Sequence, residues 1–311
     1  MSKTPSSTTT KQQIINTLCY ADIFNYPLTR EEIFHYLIAP QETTKTTINH
    51  HLKELKRSSS IISQIPTTRV GESVQLFALP NRTELFSLRV SRYFASINKK
   101  KITRRVGKWL KKIPTIKAVF ITGALAMNNS DDSDDIDLMI VTSNNHLWTT
   151  RVLTNLLLDT INIRRKPEHK SIEQLKDKIC TNLFISQNHL DLTKTKQNLY
   201  TAHEVAQAKL LWQKEDIHQQ FLIQNSWINR FLPHCSPPLK NSTLKIDKKP
   251  NFKSSSPNII EKIAYKAQII YMKNKRTSEI TTQNRAFFHP RNTSSIILSR
   301  YQKLVSKHKL A

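Results

Sequence analysis

Residues 117–141, KAVFITGALAMNNSDDSDDIDLMIV, constrain the fold more than any other stretch of this chain. An apolar run at 118–122 reads as a short strand that ends on Gly123 and the small Ala124. A polar, acidic loop follows. From about Asp135 to Thr142 the pattern then alternates, Asp135, Ile136, Asp137, Leu138, as a half-buried strand does. Side chains two apart on a strand share a face, so Asp135 and Asp137 are expected together, about 7 Å apart along it. Two like charges so placed repel, and a hard divalent cation bound by oxygen relieves the repulsion. The Gly123-Ala124 turn lacks bulk and lets a backbone N–H approach a triphosphate closely. A phosphate cradle facing a metal site is what nucleotidyl transfer needs. The competing reading is an Asp-rich surface loop that happens to precede a strand. Apolar strands on both sides, with an acid repeated inside the second, argue against it.

The rest of the composition narrows the partners. Only Gly71, Gly107 and Gly123 occur in 311 residues, which excludes a GxGxxG fingerprint and a Walker A loop. Lys and Arg number 48 against 23 Asp and Glu, a net charge of +25. Such a chain is drawn to polyanions, so a nucleotide is expected as partner, with DNA or RNA as further candidates. A solvated basic surface is the plainer account of the same charge. Cys19, Cys180 and Cys235 are far apart and show no CxxC spacing, which speaks against disulfides or zinc and for a reducing cytoplasm. The first residues are polar, with no apolar leader, and the most apolar run is about half of what a membrane span needs. A soluble cytoplasmic protein with no membrane partner is expected.

Along the chain, residues 1–10 read as a disordered tail. Residues 11–80 hold three helical stretches. The first has Ile14, Ile15, Leu18 and Cys19 at helical spacing, and the second starts with a capping box, Thr29 with Glu32. The third starts after Thr43 or Thr44 and carries Ile48, Leu52 and Leu55. Strand-like runs at 61–65 and 74–79 follow, joined by a turn with Arg69 and Gly71. That is the order of a winged helix. Its third helix would present Lys45, Asn49, His50, Lys53 and Lys56 to nucleic acid, and Arg69 would mark the wing tip. The same unit also serves as a protein contact or a rigid cap.

Residues 81–112 read as a basic connecting helix, with Lys99–Lys101 and Arg104 among its charges. The core with its following helices spans 113–232. It contains a helix at 148–160, a short strand at 161–165, a strand at 178–186, and helices at 198–214 and 216–231. Arg164, Arg165 and Lys166 form a basic cluster suited to steering a polyanion. Residues 233–257 read as a Pro-rich polar linker, and 258–311 as a helical C-terminal region. Within that region His289 and Arg291 are candidate phosphate ligands. A loop packed by Phe287 and Phe288 accounts for them equally.

The segment Ile121-Thr122-Gly123-Ala124, followed twelve residues after Gly123 by Asp135-Ile136-Asp137-Leu138, resembles the DNA polymerase β-like nucleotidyltransferase superfamily. Members show hG[GS], a spacer, then Dh[DE]h. The resemblance covers about 25 residues closely and extends more loosely to about Tyr200. The whole chain is also similar to uncharacterised bacterial proteins with a winged-helix-like start, this core and an FHP-type ending. The resemblance implies an α+β fold, a small mixed sheet with helices, preceded by the winged-helix-like unit and followed by helices that cover the nucleotide or the acceptor. It implies transfer of an NMP from an NTP to an unknown acceptor, with Asp135 and Asp137 as catalytic ligands of Mg²⁺ or Mn²⁺. Gly123 and Ala124 would contact the nucleotide.

Two positions depart from the pattern. Ala124 stands where the family has Ser or Gly, so a phosphate-holding hydroxyl is missing. Active members also carry a third carboxylate on a later strand. The strand at 178–186 offers only Asn182 there, which can ligate a metal but cannot act as a base. Asp191 lies too far along and reads as a solvent-facing turn acid. His203 and Glu204, in the helix that would cover the nucleotide, read as ligand contacts or as ordinary surface groups. Two alternatives therefore stand beside the enzyme. One is a non-catalytic nucleic-acid-binding regulator, and the other is the nucleotidyltransferase-fold partner in a toxin–antitoxin-like pair.

Overall fold

The computed structural model describes residues 9–66, 74–166, 168–169, 171–235, 257–272, 280–287 and 293–310. Local capping chemistry sets the first unit. The Thr9 side chain accepts from the Gln12 N–H and starts α1 (Thr10–Asp22). Thr29 starts α2 (Arg30–His35) in a full capping box with Glu32, and Thr44 caps α3 (Lys45–Arg57). Strands β1 (Leu28–Thr29), β2 (Ile62–Gln64) and β3 (Leu76–Ala78) make a small antiparallel sheet in the order β1-β3-β2. Ile14, Leu18, Ile33, Ile48, Leu52 and Phe77 share one core, each contributing roughly 1.5–3 kcal/mol by leaving water.

A long helix, α4 (Glu84–Leu110), leads into a six-stranded sheet. Its members are β4 (Ile116–Ile121), β5 (Ile136–Thr142), β6 (Ile179–Ser186), β7 (Lys209–Gln213), β8 (Ile280–Thr281) and β9 (Arg285–Phe287). Their order is β7-β4-β5-β6-β9-β8, with β5 and β6 parallel and every other pair antiparallel. The helices between and after the strands are α5 (Gly123–Ala126), α6 (Leu147–Thr160), α7 (Ile172–Leu175), α8 (Leu199–Gln207), α9 (Ile217–Gln224), α10 (Ile259–Met272) and α11 (Thr293–Lys307). The two-residue alternation divides the strands between two cores. Val119, Ile121, Leu138 and Ile140 pack with Val106 of α4, Trp148 of α6 and Met272 of α10. Ala118, Phe120, Met139 and Val141 pack with Ala202 and Val205 of α8, Phe221 of α9, and Tyr20 and Tyr36 of the first unit. The chain is thus mixed α+β, and the first unit lies on the same side of the sheet as α8. No helix among the described residues is long and apolar enough to cross a membrane.

The structure departs from the sequence expectations in several places. The helix expected over 198–214 stops at Gln207, because Ala208 turns to φ −57°, ψ 120° and the next five residues become β7. Leu210, Leu211 and Trp212 suit either conformation, and the open edge of β4 decides the outcome by supplying ladder partners. The expected strand at 161–165 is reduced to one bridge, Arg164 to Ile179. The helix expected over 216–231 is α9 followed by a 3₁₀ turn, Ser226–Arg230.

The region 258–311 is more than helical, since it supplies β8 and β9 to the sheet. Asp191, read as a solvent-facing turn acid, anchors that addition. Arg285 Nη2 donates to Asp191 Oδ1 at 2.8 Å and to its carbonyl at 2.7 Å. Glu261, 4% exposed, ties α10 to the start of α6 by accepting from the Trp148 and Thr149 N–H groups at 2.7 and 2.9 Å. A carboxylate there satisfies donors that a helix start leaves open and complements its dipole. The expected wing tip at Arg69 and Gly71, most of the tail and of the 233–257 linker, and His289 and Arg291 lie outside the described residues.

Candidate metal and ligand site

The turn after β4 is built around Gly123, whose φ of +62° lies in the left-handed region. A Cβ at this position would stand 2.7 Å from Asp137 Oδ2, so the missing side chain lets the backbone close against the carboxylate. The Thr122 N–H donates to the Asp137 carbonyl at 3.1 Å, which fixes the turn to β5. Asp135 sits one residue before β5 and Asp137 within it. With Cys180 of β6 they form a group whose ligand atoms all lie within 4.8 Å of one another. Between Asp137 and Met139 the register to β6 slips, Cys180 facing the first and Leu183 the second. That extra residue is a bulge, a device that re-aims side chains beside sites. Asn182 lies in it and donates from Nδ2 to Asp137 Oδ1 at 2.8 Å.

The donor set suits a hard cation. Asp135 and Asp137 bring carboxylate oxygens, and Asn182 Oδ1 is a buried oxygen with no hydrogen-bond partner. Cys180 fits less well, since burial and then the Asp137 charge push its thiol above the usual range and keep it protonated. A cation of another kind already touches the group. Arg165 Nη1 donates to Asp135 Oδ2 at 2.7 Å. Its neighbour Arg164 instead pairs with Asp159 at 2.8 Å, and neither Arg164 nor Lys166 is paired with the acids of this group.

Above Asp137, Gly123 and Ala124 opens a cavity of about 230 Å³. One wall comes from the first unit, with Tyr20, Phe24 and Tyr36, and the other from α8, with Tyr200, His203 and Glu204. His203 and Glu204 are therefore not ordinary surface groups. His203 is buried and stacks on Tyr20 with ring centroids 3.9 Å apart. The Gln207 Nε2 amide, which can only donate, reaches His203 Nδ1 at 3.3 Å, so the ring carries its proton on Nε2. That Nε2 is buried and has no partner, and neither has the Thr122 hydroxyl on the cavity floor. Burial lowers the His203 pKa to about 3, so the ring is neutral. Burial first, and then the Asp137 charge, raise Glu204 to about 7. The sequence offered no signal for these groups beyond their place in a helix after the sheet.

Asp137 is raised to about 7 from 3.8, by burial and then by the charge of Asp135. A carboxyl whose folded-state pKa is raised destabilises the fold once it must ionise. The ion-free wild type is therefore expected to lose stability relative to Asp137→Asn as pH rises from about 4 to about 7. Thermal melts of both proteins in chelator across this window check the difference, and a constant gap would contradict it. Divalent-ion affinity is expected to climb over the same window, because the ion must displace the proton.

Elsewhere, Lys45, His50, Lys53 and Lys56 are exposed along α3 and Asn49 is half-buried, while His50 and His51 share Glu54 Oε2 at 3.5 and 2.8 Å. Comparisons with protein-family models, curated proteins and solved structures find no match to this chain.

Proposed function

We propose that the chain is a Mg²⁺- or Mn²⁺-dependent nucleotidyltransferase with a DNA polymerase β-like core, preceded by a winged-helix unit. It transfers a nucleoside monophosphate from an NTP to an acceptor hydroxyl or phosphate. One observation carries the reading: the oxygens of Asp135 and Asp137 converge beside a left-handed glycine that closes on Asp137. Asp135, Asp137 and the unpartnered Asn182 Oδ1 hold the ion, and when bound it neutralises phosphate charge and polarises the transferred group. With the ion's charge on Asp137, the Gly123 and Ala124 backbone beside it would face the phosphates. Support for the winged helix is the order α1-β1-α2-α3-β2-β3 and the sheet order β1-β3-β2.

A second reading rests on Arg165. Its guanidinium already neutralises Asp135, which suits a protein that binds nucleic acid through α3 and needs no ion. Incubation with NTPs labelled at the α-phosphate, Mg²⁺ or Mn²⁺, and RNA, protein and small-molecule acceptors separates the two. Transfer that is lost in Asp135→Asn/Asp137→Asn is expected. Absence of transfer, with nucleic-acid binding intact in the double variant, would establish the regulator instead.

A further inference from the structure

The cavity between α1 and α8 has a chemical bias that nucleotidyl transfer does not require. Among the described residues two carboxyl groups line it, Asp137 and Glu204, and no Lys or Arg does, although the Arg89 guanidinium lies 3.8 Å from the centroid of the lining Tyr26 ring. Arg165, the cation nearest the acid group, is bonded to Asp135 outside the lining. Glu204 makes no ion pair with any described residue, and the like charge of Asp137 acts on it. The walls are aromatic, with Tyr20, Phe24, Tyr26, Tyr36 and Tyr200. Aromatic faces attract cations and repel anions. His203 Nε2 and Thr122 Oγ1 belong to residues of the lining and have no partner, but both atoms are buried and present no surface to the cavity.

We propose that this cavity binds a small organic amine, with its ammonium group on Glu204 and against the aromatic faces that neither Arg89 nor His203 covers. The volume, about 230 Å³, equals roughly eight waters at ~30 Å³ each and holds a molecule of about one ring with a short side chain. Without a bound metal ion, an anionic ligand would meet two carboxyl groups. A neutral nucleobase would stack but bring no charge to pair with Glu204. An amine pairs with the ionised Glu204, and a hydroxyl on the same molecule would lie in a chamber whose floor is Asp137 and Gly123. Recognition of the amine stands on the cavity alone. Its identity as the acceptor of the transferred group rests on the nucleotidyl-transfer reading. The α1 wall also means that the first unit forms part of the ligand site.

The test is a three-probe series against the full chain in chelator, followed by calorimetry and ligand-observed NMR. The probes are 2-phenylethylamine, 2-phenylethanol and phenylacetate, nearly equal in shape and differing in charge. The amine is expected to bind at least tenfold tighter than the alcohol, and phenylacetate not at all. Glu204→Gln is expected to remove that preference while Glu84→Gln, at the exposed start of α4 and outside the cavity lining, keeps amine binding within about twofold. Equal binding of amine and alcohol, a preference for phenylacetate, or tighter binding of adenosine than of the amine would overturn the proposal. So would loss of amine binding in Glu84→Gln. The probe series on the wild type decides the matter even if Glu204→Gln does not fold. Loss of Mg²⁺ and NTP binding with amine selectivity intact would sink the transfer reading alone.

Discussion

Gly123→Ala is expected to lower divalent-ion affinity tenfold or more and to destabilise the protein by about 1–2 kcal/mol, the cost of a side chain in left-handed backbone. The loss of affinity has a separate cause. The new methyl would lie 2.7 Å from Asp137 Oδ2, well inside van der Waals contact. The end of the Asp137 side chain gives way more easily than the backbone, so the carboxylate rotates off its present position. Holding it back in place to bind an ion costs about 0.5–1.5 kcal/mol in rotamer strain on top of the steric contact, and each 1.4 kcal/mol is tenfold in affinity. Calorimetric Mn²⁺ titration of the variant, paired with its thermal melt, separates the two effects. Unchanged affinity in a destabilised variant would show that the glycine serves the turn and not the site.

Lys99→Met is expected to cost about 1.5–3 kcal/mol of stability, the range for hydrogen bonds to a charged group. Lys99 has no exposed surface. Its three ammonium protons are all engaged, donating to the Asp132 carbonyl at 3.0 Å, the Asp134 carbonyl at 2.7 Å and Asp177 Oδ1 at 2.8 Å. Methionine fills most of the volume but leaves the Asp132 carbonyl without a donor and the Asp134 carbonyl with only the Asp177 N–H, at 3.2 Å. The loss falls below the ~3–5 kcal/mol of a fully buried broken pair, because the Asp177 side chain is 36% exposed and water can take it over. The loop that Lys99 grips delivers Asp135, so ion affinity should fall as well. Denaturant unfolding checks the stability and ion titration the affinity. Lys108→Met, on the exposed face of the same helix, should change neither.

Much of this architecture is readable from local chemistry, and the remainder depends on what lies across from each residue. The Thr29 capping box and the Thr44 cap mark helix starts because a cap needs only residues three apart. The adjacency of Asp135 and Asp137 follows from alternation within one strand. Lys99 sits in the run Lys99–Lys101, and as charge alone it looks solvated. Its depth shows only when the stripe Ser96, Lys99, Thr103, Val106 and Leu110 is seen as the buried face of α4. Neither Ala208 nor residues 209–213 carry a turn signal, so nothing within them distinguishes a continued helix from a strand. The free edge of β4 does. The cavity is the least legible feature, because Tyr20 and His203 meet from positions far apart in the chain and neither belongs to a motif.

The most direct measurement is calorimetric titration of each of the four NTPs into the full chain with and without Mg²⁺, repeated with Asp135→Asn/Asp137→Asn. At least one NTP is expected to bind only when Mg²⁺ is present, and that binding to vanish in a double variant whose melting curve shows it folded. Failure of every NTP to bind the wild type with Mg²⁺, or binding that persists unchanged in the double variant, would contradict the nucleotidyltransferase reading.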